Sequence, residues 1–159
     1  MSDFYIRPLV QSEAASVATW AYEPPFDIYD GDPEQPEDYL TLDAEGLGYY
    51  AVARTSDDEV VGFCCFGPEA RVKGQVADDG VIDIGGGVRP DLVSQGLSSE
   101  VFPLVLRYAQ STFAARRFRT AVASFNERSI RLCRSAGFEV ARRFDGPGSE
   151  FHELVREVD

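Results

Sequence analysis

The stretch Val81 to Ala109, VIDIGGGVRPDLVSQGLSSEVFPLVLRYA, limits the fold more than any other part of the chain. It opens as an apolar strand, breaks into Gly85-Gly86-Gly87 and turns through Val88-Arg89-Pro90. A short polar loop, Asp91 to Gln95, leads to Gly96, where a helix with an apolar face is predicted. The first N–H groups of such a helix have no internal partner, and its aligned peptide dipoles put partial positive charge there. A strand, a tight loop and a helix opening on Gly therefore make an anion trap, and a diphosphate suits it. The glycine triplet reads as a β-bulge or as a close backbone approach. Pro103 falls inside the predicted helix, where it frees the carbonyl near Ser99 and predicts a kink.

The flanking chain alternates strands and helices. Phe4 to Val10 reads as a strand with Pro8 at an edge or strand end. Ser12 is placed to cap a helix running to about Trp20, with Ala14, Val17, Ala18 and Ala21 on one face. Tyr22 to Asp30 is a loop rich in proline and aromatics, and Asp32-Pro33-Glu34-Gln35 reads as a helix start carrying Tyr39, Leu40 and Leu42 inward. Gly48 to Arg54 and Glu59 to Phe66 predict an antiparallel hairpin, followed by a polar loop from Gly67 to Asp79. Arg116 to Ser124 is a further strand, and Asn126 caps a helix from Glu127 to Ala136 that ends on Gly137. Phe138 to Phe144 and Glu150 to Glu157 close the chain as two strands about Asp145-Gly146-Pro147-Gly148. The expected class is mixed α/β in one domain over residues 1–159, with helices on both faces of the sheet.

Two motifs in this order resemble the GNAT family of acetyl-CoA-dependent N-acetyltransferases. In that family a strand ends in V-x-P, and the first Gly of a Q/R-x-x-G-x-G/A loop follows six residues after the Pro. Val88, Pro90 and Gly96 match, with Val93 in the Gln or Arg position and Ser98 in the second Gly or Ala position. The family's later motif is N-x-x-A/S-x-x-x-Y-x-x-x-G-F, and NERSIRLCRSAGF sets Asn126, Ser129, Gly137 and Phe138 in register. The resemblance implies a three-layer acyl-CoA N-acyltransferase-like fold with a mixed, mostly antiparallel central sheet.

It further implies acetyl-CoA as co-substrate, with direct transfer of its acetyl group to an amine of a small molecule, peptide or protein. The pantetheine arm would lie along the backbone around Val88, Arg89 and Pro90. Val93, Ser94, Gln95, Gly96, Leu97 and Ser98 would form the diphosphate loop, and Asn126, with Ser129 in register, would bond the arm. Asn126 is equally a plain helix cap. Arg89, Arg128 and Arg131 are either phosphate partners or surface charges. Tyr22, Phe26 and Tyr29 are candidates for the acceptor-pocket wall, their alternative being aromatics packed on the core; Tyr49 and Tyr50 are weighed the same way.

The family's acidic tyrosine position is here Cys133, a candidate proton donor or a small core filler. The position of the basic Glu found in some members is Ala121. Asp83 is then the remaining candidate base, unless it pairs with an arginine. A chain that keeps the fold and binds acyl-CoA without turnover is the main alternative, and another acyl donor or an oxygen acceptor is a further one.

Composition bounds the partners. A net charge of −12 opposes nucleic-acid binding, which depends on Lys and Arg neutralising phosphates. The 15 basic residues include a single lysine, Lys73, a balance that fits either a high-salt cytoplasm or a GC-rich genome. Cys64, Cys65 and Cys133 form no C-x-x-C pair, and with His152 as sole histidine no metal site is expected. The opening MSDFYIRPLV has no signal-peptide pattern and no apolar run is of spanning length, so a cytoplasmic setting without a membrane partner is expected. An amine-bearing acceptor is the expected partner, and a homodimer is compatible with the sequence.

Overall fold

The computed structural model describes residues 2–159. Seven strands form one sheet: β1 Phe4–Arg7, β2 Gly48–Arg54, β3 Val60–Phe66, β4 Val81–Val88, β5 Arg117–Ala123, β6 Glu139–Gly146 and β7 Ser149–Glu157. Their spatial order is β1-β2-β3-β4-β5-β7-β6. Every neighbouring pair runs antiparallel except β4 with β5. Among the described residues three α-helices accompany the sheet: α1 Gln11–Val17, α2 Leu97–Thr112 and α3 Glu127–Ser135. This is the mixed α/β class with a mostly antiparallel sheet that the sequence predicts. None of these helices is long and apolar enough to cross a membrane.

Strand alternation sorts the apolar residues onto two faces. On one, Tyr50, Val52, Cys64, Phe66, Ile84, Phe118, Val122 and Leu154 meet Val105, Leu106 and Ala109 of α2 and Cys133 of α3. On the other, Ala51 of β2 meets Leu9, Ala14, Val17, Ala18 and Tyr39, so α1 covers the opposite side. Beyond α1 that second face holds charge. Asp83 of β4 accepts from Arg119 of β5 at 2.6 and 3.0 Å and from Arg71 at 2.9 Å. Glu153 of β7 accepts from Gln75 at 3.0 Å and from Arg142 at 3.1 Å. The loop after β3 thus closes this part of the sheet with a hydrogen-bonded polar layer in place of a helix.

Several boundaries differ from expectation. β1 stops at Arg7, before Pro8, instead of reaching Val10. Ser12 does not cap α1; Glu13 does, its carboxylate accepting from the Val10 N–H at 3.0 Å. That helix ends at Val17, and Ala21 is exposed. Asp32 starts a turn, not a helix, its side chain accepting from the Glu34 N–H at 2.9 Å. Pro36 keeps Gln35 out of the helical region (φ −125°, ψ 49°), so only the 3-10 turn Pro36–Leu40 forms. Tyr39 is buried there while Leu40 is exposed. No bulge occurs at the glycine triplet, since the β3–β4 register runs unbroken from Gly62↔Val88 to Phe66↔Ile84. Close approach is the reason for glycine: a Cβ on Gly86 would sit 2.6 Å from the Phe63 carbonyl oxygen. Helix α2 runs continuously through Pro103.

Candidate functional site

Among the described residues the only parallel pairing in the sheet lasts three rungs, Val81↔Arg117, Ile82↔Phe118 and Asp83↔Arg119. Beyond them β4 continues to Val88 and β5 to Ala123 with no ladder between them, which opens a wedge. Alternation identifies its lining. The Arg89 N–H donates to Val61 at 2.8 Å, away from the wedge, so the peptide groups of Ile84, Gly86 and Val88 face into it. On the other edge the Ser124 N–H donates to Glu150 at 2.8 Å, which turns Ala121 and Ala123 toward the gap.

At the mouth of the wedge the chain folds into the predicted anion trap. Pro90–Leu92 is a 3-10 turn, Ser94 takes φ 76°, and Gly96 caps α2 at φ 77°, ψ 9°. Not every amide of the loop is free. The Val93 N–H donates to Pro90 at 3.4 Å and that of Gln95 to Leu92 at 3.3 Å, so these two expected phosphate contacts are spent inside the loop. The N–H groups of Ser94, Gly96, Leu97 and Ser98 have no partner among the described residues. Four unpaired donors at the positive end of a 16-residue helix match a diphosphate in charge and hydrogen bonding. Arg128 stands beside them, its Nη1 3.5 Å from Ser94 Oγ. Arg89 is committed elsewhere, to Asp91 at 2.6 Å and Glu59 at 3.3 Å, and so is a local ion pair. Arg131 lines a separate groove with Ser124, Glu127 and His152.

The loop between α1 and β2 straps the wedge. Tyr22 donates its hydroxyl proton to the Val88 carbonyl at 2.8 Å, taking a backbone acceptor on the β4 edge. Tyr29 reaches the β5 edge, where its oxygen accepts from the Ala123 N–H at 3.1 Å and from Asn126 Nδ2 at 3.3 Å. Between them Phe26 packs edge-on against Phe125, ring centroids 5.5 Å apart. Of the three sequence candidates for the pocket wall, Tyr22 and Tyr29 thus reach the two edges of the gap, and Phe26 packs on Phe125 just past the end of β5. Tyr49 and Tyr50 do not join them; each packs in an aromatic cluster, with Tyr39 and with Tyr108. Asn126 also caps α3, its Oδ1 accepting from the Ser129 N–H at 3.4 Å. That helix closes on Gly137 (φ 94°) with Phe138 N–H donating to Cys133 at 3.0 Å.

The two proposed proton carriers stand differently. Asp83 is buried within the arginine pair already described, two guanidinium groups holding both oxygens. Cys133 is buried in the core against α2, and desolvation pushes its thiol up to about 12 from an ordinary 9.0. Burial does the same to Cys65, also to about 12, and raises Cys64. Thiols that ionise near 9.0 when unfolded and near 12 when folded contribute stability below pH 9.0 that is lost as pH rises toward 12. Urea unfolding is expected to show stability declining across this window, with a shallower decline in Cys133→Ala; equal slopes in the two proteins would contradict it.

Sequence reasoning missed the cluster of Ser124, whose Oγ lies 2.8 Å from His152 Nδ1 and 2.9 Å from Glu150 Oε1. A side-chain cluster across paired strands leaves no linear motif; only the in-register pairing of β5 with β7 reveals it.

Residues 3–139 match the family profile described as acetyltransferase (GNAT) domain. No curated protein matches the chain in sequence. Among solved structures, AAC(6')-Ib in complex with paromomycin and acetyl-CoA is similar at TM-score 0.76 and 17% identity, covering 98% of this chain and 94% of that one. A GNAT-family acetyltransferase from Bacillus anthracis is similar at TM-score 0.74 and 14% identity, covering 98% and 95%. One from Streptococcus pneumoniae is similar at 0.66 and 13%, covering 98% and 99%.

Proposed function

Because the chain belongs to the GNAT acetyltransferase family, we propose that it is an acetyl-CoA-dependent N-acetyltransferase transferring acetyl directly to an amine. The observation that carries this reading is the pair of features set end to end: four unpaired N–H groups at α2 and the wedge leading away from them. Ser94, Gly96, Leu97 and Ser98 would hold the diphosphate, with Arg128 beside it. The exposed peptide edge at Ile84 and Gly86 would pair with the pantetheine arm. When bound, acetyl-CoA supplies an activated thioester. The chain's part is to align it, to direct an amine at it, and to stabilise the departing charge.

The acceptor is a cationic amine. Between Arg7 and Arg54, the segment that includes the strap, there is no Lys, Arg or His but there are ten Asp and Glu. Such a field draws cations and repels anionic acceptors. The AAC(6')-Ib structures with aminoglycosides offer multiply charged amines as a first panel. Salt is expected to raise KM for these acceptors, since screening shortens the field to about 8 Å at physiological ionic strength.

Melting and calorimetry with acetyl-CoA, followed by thiol release over an amine panel, test the reading. Saturation at about 100 times Kd stabilises by about 2.7 kcal/mol, or roughly 5–10 °C in Tm for a chain of this size. Cys133→Ala keeps thiol release, because its thiol faces the core. Binding without thiol release for any amine would favour the non-catalytic acyl-CoA module, and no binding would end both readings.

A further inference from the structure

We propose that Tyr29 is the residue that protonates the departing sulfur, an inference that rests on the N-acetyltransferase reading. Helix α3 has Cys133 where the resemblance calls for the acidic tyrosine, and that thiol is buried in the core. The structure brings a different phenol to the wedge from the opposite side. Tyr29 is the one residue of the strap that contacts the β5 edge and the Asn126 side chain together.

The hydrogen bonds fix which proton is available. Asn126 Oδ1 is held by the Ser129 N–H, so its amide nitrogen must face Tyr29. That nitrogen and the Ala123 N–H both donate to the phenol oxygen. With its lone pairs engaged by two donors, Tyr29 keeps its own O–H, which has no acceptor among the described residues. Tyr22, at the other edge, spends its proton on Val88.

The step balances. As the amine nitrogen bonds to the acetyl carbon, the bond from that carbon to sulfur breaks and the electron pair stays on sulfur. Tyr29 gives its proton to that sulfur. The amide nitrogen sheds its surplus proton to solvent, and the phenolate takes one back, so one amine and one thioester yield one amide and one thiol.

The test uses the full chain and Tyr29→Phe, a change at an exposed position that removes the hydroxyl and keeps the ring. CoA binding is measured by calorimetry, the ionisation of the bound CoA thiol by the ultraviolet absorbance of its thiolate, and turnover by thiol release. An O–H aimed at sulfur favours the thiolate, so the bound thiol is expected to titrate about one pH unit higher in Tyr29→Phe. CoA affinity should stay within about threefold of wild type, with kcat down by about 100-fold. A bound thiol that titrates identically in the two proteins, whatever happens to kcat, overturns the assignment while leaving the CoA reading intact. Wild-type protein that binds no CoA overturns both.

Discussion

Asp83→Ala is expected to destabilise the protein by about 3–5 kcal/mol, the cost of leaving a buried guanidinium without its carboxylate. For a chain of this length that corresponds to a fall in Tm of roughly 6–20 °C. Arg119 is the group left stranded: its side chain is 8% exposed, and its remaining carboxylate, Glu153, lies 3.8 Å away and is shared with Arg142. A base acting on substrate would show the opposite pattern, loss of turnover with the fold intact. Asp83→Ala should bind acetyl-CoA normally at temperatures where it remains folded. Asp83→Leu combined with Arg119→Met should recover most of the lost stability, because two apolar side chains replace a desolvated pair. If Asp83→Ala melts with wild type yet loses turnover, the aspartate belongs to the chemistry after all.

Gly96→Val is expected to weaken acetyl-CoA binding by roughly 10- to 100-fold, the equivalent of losing one hydrogen bond to a charged group. The residue sits at φ 77°, where a side chain is strained, and its Cβ would point into space with no protein atom within 4 Å. That open space is the approach to the four unpaired amides. Ser98→Ala removes only a hydroxyl and retains the N–H, so its affinity should stay within about threefold. Calorimetric titration of the two variants separates backbone from side-chain recognition. A loss in Ser98→Ala as large as that in Gly96→Val would mean that the Ser98 hydroxyl holds the phosphate together with the backbone.

The anion trap was legible because a glycine with positive φ, a preceding Pro and a following apolar helix each leave a local mark in sequence. The same is true of Asn126, whose capping bond spans three residues, and of Gly137 with Phe138. What could not be read was set by partners far along the chain. Asp83 and Arg119 are 36 residues apart and meet only because β4 and β5 lie side by side. Tyr29 and Ala123 are separated by 94 residues, and nothing near either announces the other. The second helix failed for a local reason: Pro33 suggested a start, but Pro36 denied Gln35 the helical conformation that would have carried it on.

The short parallel join has a mechanical meaning. Within the sheet, four strands on one side and three on the other share three rungs, so the sheet is two leaves on a narrow spine, backed by the common core under α2, the Asp83–Arg119 clasp and the tyrosine strap. Anything that slots between the leaves becomes part of the binding that keeps them at a fixed opening. A ligand that pairs with both edges supplies rungs that the sheet lacks there, so filling the gap and stiffening the book are one event.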